Sequence, residues 1–193
     1  MSIQQSGVIS GDPKGFKDLF DKHHFKIPEY QRDFEWEDDN IKKFQTDIIK
    51  EYIKSTQYFF GPMVFVSRPE AQSNPDGSIN VDVIDGQQRL TSASLFIAAA
   101  SDLLYTHGTT TEQSLAKANY LLIANQDQAG TRWMPKILPH QKYQPFYTDL
   151  LQLCDPSTKT GQNMNGKTAV EKTMYKAYKL FSQRLTKECS TNG

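Results

Sequence analysis

Several features are scarce in this sequence, and each absence excludes a class of protein. The chain has two cysteines, Cys154 and Cys189, which are too few and too far apart for a disulfide framework or a zinc site. The 22 Lys and Arg residues balance 22 Asp and Glu residues, so no field of one sign covers the molecule as in a duplex-wrapping protein. A local basic patch remains compatible with this balance.

Targeting and membrane signals are also absent from the sequence. The start, MSIQQSGVISGDPKG, has no basic segment followed by an apolar one, so it does not resemble a signal peptide. The longest apolar run, Leu95 to Ala100, is far shorter than the roughly 20 residues that a membrane span needs. We therefore expect a cytoplasmic protein without a membrane partner. The polar tail, which carries no closing element, favours a fragment of a longer protein.

Hydrophobic periodicity predicts an α+β fold, in which a small mixed sheet with helices precedes a helical second half. Residues 58–66 and 79–84 are rich in aromatic and β-branched residues and predict a hairpin, which Gly61-Pro62 interrupts. The length allows one compact unit, with a core over residues 1–106 and a helical extension over 107–193. Helices are predicted at 16–20, 38–54, 90–105, 115–123, 145–153 and 169–185.

The stretch VDVIDGQQRLTSASLF joins a strand-like run to a helical pattern through five polar residues. A strand that opens directly into a helix leaves the first N–H groups of the helix without partners, which favours a bound anion. Gly86 lets the backbone approach a ligand, Arg89 can bind a phosphate with two parallel hydrogen bonds, and Thr91 can add a hydroxyl. Gln87 and Gln88 supply neutral donors and acceptors. An ordinary turn, capped by the aspartate and with solvated glutamines, fits the spacing equally well.

A second polar cluster lies in IPEYQRDFEW, residues 27–36. Tyr30, Gln31 and Arg32 place a phenol, an amide and a guanidinium on one extended segment. Strand-like alternation puts Gln31 on the opposite face from the other two, so all three reach one ligand only if the chain twists. The alternative, favoured for this segment alone, is that the following aromatic residues are core and the arginine pairs with a neighbouring carboxylate.

Residues 161–168 match the P-loop pattern G-x-x-x-x-G-K-[ST] letter for letter. A P-loop follows a buried strand, however, and the preceding DPSTKT is not strand-like. Too few residues follow for the remaining strands and the magnesium-binding aspartate of that fold. We therefore expect a loop in which Thr168 caps the last helix.

The two polar clusters occur in the order IPEYQRDFEW, YFFGPMVFV and VIDGQQRLTSASLFIAAA, and this order resembles the N-terminal domain of GmrSD-type restriction endonucleases. That family is marked by IPxYQRx[FY]xW and DGQQR. The resemblance implies a fold of the ParB/sulfiredoxin type, whose strand-to-helix loop binds nucleotide phosphate. It also implies Mg²⁺-dependent hydrolysis of a nucleoside triphosphate, coupled in full-length proteins to anti-phage cleavage of modified or foreign DNA.

Roles follow from the resemblance for residues of both motifs. Arg89 and the amides after Gly86 would hold the phosphates, and Asp85 would place Mg²⁺ or orient the arginine. Gln87 or Gln88, together with Gln31, would position the attacking water. The implied nucleotide-binding residues are Tyr30, Gln31, Arg32, Gly86, Gln87, Gln88, Arg89 and Thr91.

Further partners are expected for this domain. The nuclease half, of HNH type in the family, has no counterpart here because no His-Asn-His constellation occurs, so we expect no DNA cleavage from this chain alone. DNA and a second copy of the chain are candidate partners. The rival function is a non-catalytic DNA-sensing module, in which Arg32, Arg89 and nearby lysines contact the DNA backbone.

Overall fold

A computed structural model describes residues 13–67, 74, 77–126, 129–154 and 168–191 of the 193. The described part is an α+β fold, as the sequence predicts. In chain order the elements are α1 (Phe16–Lys22), β1 (His23–Lys26), α2 (Asp38–Ile53), β2 (Val64–Ser67), β3 (Ile79–Asp85), α3 (Gln87–His107), α4 (Thr110–Ile123), β4 (Ala124–Gln126), β5 (Trp133–Pro135), β6 (Ile137–Leu138), a 3₁₀ turn (Gln141–Tyr143), α5 (Gln144–Leu150) and α6 (Ala169–Thr191).

A four-stranded mixed sheet with the order β2-β3-β1-β6 forms the frame of the first half. β2 and β3 pair antiparallel, whereas β1 pairs parallel with both β3 and β6. Phe25, Val81 and Val83 are fully or almost fully buried on the inner face of this sheet. Since β3 ends at Asp85 and α3 starts two residues later, the strand leads directly into the central helix. A small sheet of β4 and β5 lies apart from this frame.

The central element is α3, a helix of 21 residues that packs against α4 and α6. Its sequence alternates large apolar residues with alanine and serine, so neighbouring helices can approach closely on several sides. Leu90 and Leu95 are completely buried, and each such side chain contributes about 2 kcal/mol of burial free energy. α5 also contacts this helix, since the hydroxyls of Tyr147 and Ser94 share a hydrogen bond.

Several sequence-based expectations are confirmed and others need correction. The helices occur where periodicity predicts them, and Thr168 forms the expected cap: its hydroxyl accepts from the Glu171 amide at 3.3 Å. Residues 161–167 lie outside the described part of the chain. The predicted strand at 58–66 is too long, because Gly61 has a φ of 79° and Pro62 cannot donate to a ladder. The short strand β4 was not predicted.

The second half of the chain also contributes to the main sheet. β6, at residues 137–138, pairs with β1, so a strand beyond residue 107 completes a sheet begun at residue 23. The boundary at 106/107 stays a prediction. Among the described helices, none combines the length and the apolar composition that a bilayer crossing requires.

A buried carboxylate joins three helices of the core. Asp102 of α3 is fully buried and accepts hydrogen bonds from the Tyr178 hydroxyl at 2.7 Å, the Cys154 amide at 3.2 Å and the Tyr120 hydroxyl at 3.4 Å. Burial, and next the Asp102 charge, raises the pKa of Tyr178 and of Tyr120 above the usual tyrosine range. Both phenols therefore keep the protons that the carboxylate needs.

We expect Asp102→Ala to lower the free energy of unfolding by about 3–5 kcal/mol, because two phenols and an amide would lose their acceptor in the core. Asp102→Asn, which keeps an acceptor, should cost less. Urea unfolding measures both. The matched control is Asp149→Ala, which removes an exposed carboxylate paired with Arg132 and should change stability by no more than about 0.5 kcal/mol. Equal effects of Asp102→Ala and Asp149→Ala would contradict a stabilising role for the network.

Candidate functional site

The turn between β3 and α3 requires a glycine. Gly86 has a φ of 94°, in the left-handed region, and a Cβ atom there would lie 2.6 Å from the Met63 Cγ atom. No side chain caps the helix that follows. The backbone N–H groups of its first turn therefore have no side-chain cap, an arrangement that is able to bind an anion.

Both glutamines of the DGQQR motif are almost fully buried and bond to the backbone of the upstream motif. The Gln87 amide donates to the Arg32 carbonyl at 2.8 Å. The Gln88 amide donates to the Asp33 carbonyl at 2.8 Å, and its oxygen accepts from the Glu35 amide at 3.0 Å. These bonds join the two family motifs. The catalytic roles of Gln87 and Gln88 stay predictions, and the observed contacts give both side chains a positioning task.

Arg89 holds a second loop against the same turn. Its guanidinium donates to the Phe60 carbonyl at 2.7 Å, to the Pro62 carbonyl at 2.8 Å and to the Asp85 carboxylate at 3.2 Å. A Cβ atom on Gly61 would lie 2.4 Å from the Arg89 Nη1 atom, so this close approach requires glycine. A guanidinium has five N–H donors and three contacts are described here, so donors remain for a phosphate.

The turn that carries Tyr30, Gln31 and Arg32 lies beside the end of β3. The Gln31 amide donates to the Ile84 carbonyl at 3.0 Å, and Tyr30 is 74% exposed. Arg32 points to solvent and pairs weakly with Glu35 at 3.9 Å. The structure thus brings the Gln31 side chain and the Arg32 carbonyl to the β3–α3 turn.

Two further predicted site residues differ in accessibility. The Asp85 side chain is 63% exposed and can offer its carboxylate to a cation. The Thr91 side chain is buried, and its hydroxyl has no hydrogen-bond partner among the described residues. Across the described ranges, no three His, Cys, Asp or Glu side chains gather closely enough to hold a metal ion. A single carboxylate fits a magnesium ion only when phosphate oxygens and water complete its coordination.

A separate cleft of about 670 Å³ lies between residues 33–41 and α6. None of the predicted nucleotide-binding residues lines it. Its rim carries five carboxylates, which oppose the binding of a polyanion. The β3–α3 turn therefore remains the better candidate for a phosphate site. The carboxylates belong to Asp33, Glu35, Glu37, Asp38 and Asp39.

Sequence reasoning missed a histidine beside the site. The ring of His140 is almost fully buried, with Nδ1 2.9 Å from the Asp33 Oδ1 atom and Nε2 3.0 Å from the Pro28 carbonyl oxygen. The Tyr143 hydroxyl donates to Asp33 Oδ2 at 2.8 Å. Burial, and less strongly this bond, raises the pKa of Tyr143. No spacing signal could have found His140, because more than 100 residues separate it from Asp33.

A protein-family model described as GmrSD restriction endonuclease, N-terminal domain, matches residues 16–191, and the chain belongs to this family. Among curated proteins, none matches the sequence. The family places the chain in a restriction or defence system.

We expect Gln88→Ala to accelerate hydrogen exchange of the Glu35 amide roughly tenfold, because two hydrogen bonds to the 33–35 backbone are lost. Amide exchange followed by NMR measures this.

Gln152→Ala is a matched control, since Gln152 bridges the amide and the carbonyl of Trp133 at 2.9 and 2.8 Å. That variant should accelerate exchange at Trp133 and leave Glu35 unchanged. An unaltered Glu35 amide in Gln88→Ala would contradict the bridging role.

Proposed function

We propose that the chain binds a nucleoside triphosphate at the β3–α3 turn and hydrolyses it with Mg²⁺, as the regulatory domain of a GmrSD-like restriction system. The observation that carries this proposal is the start of α3, where a left-handed Gly86 opens an uncapped helix next to the partly exposed Arg89. Backbone N–H groups and a guanidinium together form a strong phosphate-binding arrangement.

The surroundings of the turn support a nucleotide rather than a lone phosphate. The exposed Tyr30 ring can stack on a base, and the exposed Arg32 offers a second guanidinium. Both lie on the turn that Gln87 bonds at the Arg32 carbonyl, so they are held next to the start of α3. The triphosphate and its base would thus contact both family motifs at once.

For hydrolysis, positioning and charge neutralisation are sufficient, so no covalent nucleophile is needed. Mg²⁺ bound with the triphosphate would neutralise charge on its oxygens, and Asp85 is the residue that can hold it. Gln31 is the accessible amide of the site: its Nε2 is bonded to Ile84, which leaves Oε1 to orient a water. Gln87 and Gln88 would act by holding the backbone at residues 32–35.

We expect ATP, GTP, CTP or UTP with Mg²⁺ to raise the Tm by roughly 5–10 °C at about a hundred times its Kd. EDTA should reduce this shift. Arg89→Lys should lower the affinity of the preferred nucleotide at least about tenfold, because lysine lacks the planar fork. Calorimetry measures the affinity, and circular dichroism checks the fold.

The matched control is Arg132→Lys, which changes a paired surface arginine and should leave the affinity unaltered. If none of the four nucleotides shifts the Tm, the proposal is lost. DNA binding that weakens steeply with salt, together with no nucleotide binding, would instead support the DNA-sensing module.

We expect Gln31→Ala to lower phosphate release roughly a hundredfold while the nucleotide Kd changes little, because the amide would act on the attacking water. Phosphate release under saturating nucleotide measures the rate. Gln126→Ala is the control, since it removes an exposed amide bonded to the Gly130 carbonyl, outside the site. A parallel loss of affinity and rate would place Gln31 in binding instead.

A further inference from the structure

The turn that carries Tyr30, Gln31 and Arg32 is bonded from two sides. Gln87 and Gln88 hold its C-terminal side from α3. Residues 140–143 hold its two ends from the second half of the chain. The bonds from that side are His140 Nε2 to the Pro28 carbonyl, the Gln141 amide to Glu29 Oε1 at 3.0 Å, and His140 Nδ1 and the Tyr143 hydroxyl to Asp33.

The protons in this arrangement follow from the chemistry of the partners. The Pro28 carbonyl can only accept, so Nε2 of His140 must donate to it. The second ring nitrogen, Nδ1, lies 2.9 Å from Asp33 Oδ1, and the other oxygen of that carboxylate accepts from the Tyr143 hydroxyl and lies 3.8 Å from the Lys142 ammonium. Both ring nitrogens of His140 are therefore engaged with the two ends of the turn.

We propose that His140, which bridges Asp33 and Pro28 through its two ring nitrogens, is a positioning residue for the Tyr30–Arg32 turn. This deepens the proposed function and rests on it. His140 is 5% exposed, so it does not touch a ligand itself. It fixes both ends of the turn and thereby the direction in which Tyr30 and Arg32 project.

The bridge connects nucleotide affinity to the contacts of the His140 ring. The ionisable groups that face the ring or its carboxylate partner are Asp33, Glu29, Lys142 and Tyr143. Loss of either ring contact releases one end of the turn, so the turn becomes mobile and nucleotide binding weakens.

The test compares the wild-type chain with His140→Gln, whose amide has one donating nitrogen and one accepting oxygen and so cannot donate from two separate atoms as the ring can. The nucleotide that gives the largest thermal shift is titrated with Mg²⁺. Trypsin cleavage after Arg32, measured without nucleotide against cleavage after the exposed Arg132 of the same sample, reports the opening of the turn.

We expect His140→Gln to bind roughly tenfold more weakly than the wild type. Its Arg32 cleavage should rise several-fold relative to Arg132. The matched control is His23→Gln, because His23 is half-buried with one hydrogen bond to the Leu19 carbonyl. That variant should keep the wild-type affinity and cleavage ratio.

Each of the other outcomes would contradict one part of the proposal. Unchanged affinity and cleavage in His140→Gln overturn the positioning role, and weaker binding with an unchanged cleavage ratio shows that His140 does not hold the turn. If the wild type binds no nucleotide, the proposed function fails, and the cleavage ratio alone decides whether His140 holds the turn. If His140→Gln unfolds, Tyr143→Phe replaces it, since it removes one bond to Asp33 and should raise the same ratio.

Discussion

The bond pair that Gln88 makes with the backbone at Asp33 and Glu35 is the interaction on which the arrangement of the site depends. One amide satisfies a carbonyl and an N–H of a segment more than 50 residues upstream, so that segment needs no regular secondary structure to be ordered. Because Gln88 belongs to the first turn of α3, the position of the central helix fixes the upstream motif. The DGQQR motif and the upstream segment at residues 27–36 are thus held together as one structural unit.

Much of the fold can be predicted from local patterns. The helices follow from apolar spacing, the β2–β3 hairpin from β-branched residues, and the start of α6 from Thr168 and Glu171 as a capping pair. Local patterns fail where glycine and proline interrupt an apolar run: Gly61 and Pro62 prevent the strand that the aromatic residues around them suggest. They also fail for β4, which is three residues long and depends on its partner β5 for its hydrogen bonds.

The candidate site was less predictable, for a physical reason. Polar residues in sequence indicate that hydrogen bonds will form, but not with which partners. For Gln87, Gln88 and Arg89 these partners are main-chain carbonyls of loops without a periodic signal. His140 illustrates the limit, since its role depends on Pro28 and Asp33, which only the folded sheet brings near.

The parallel pairing of β6 with β1 has a consequence for how the chain acquires its structure. The Phe25 and Ile27 amides donate their hydrogen bonds on this side to the carbonyls of Lys136 and Leu138. Such contacts between distant segments carry a large loop-closure entropy and slow folding. During synthesis, the first hundred residues therefore leave the ribosome before the four-stranded sheet can be completed. Chaperones would therefore encounter an intermediate in which the edge of β1 that later pairs with β6 is still exposed.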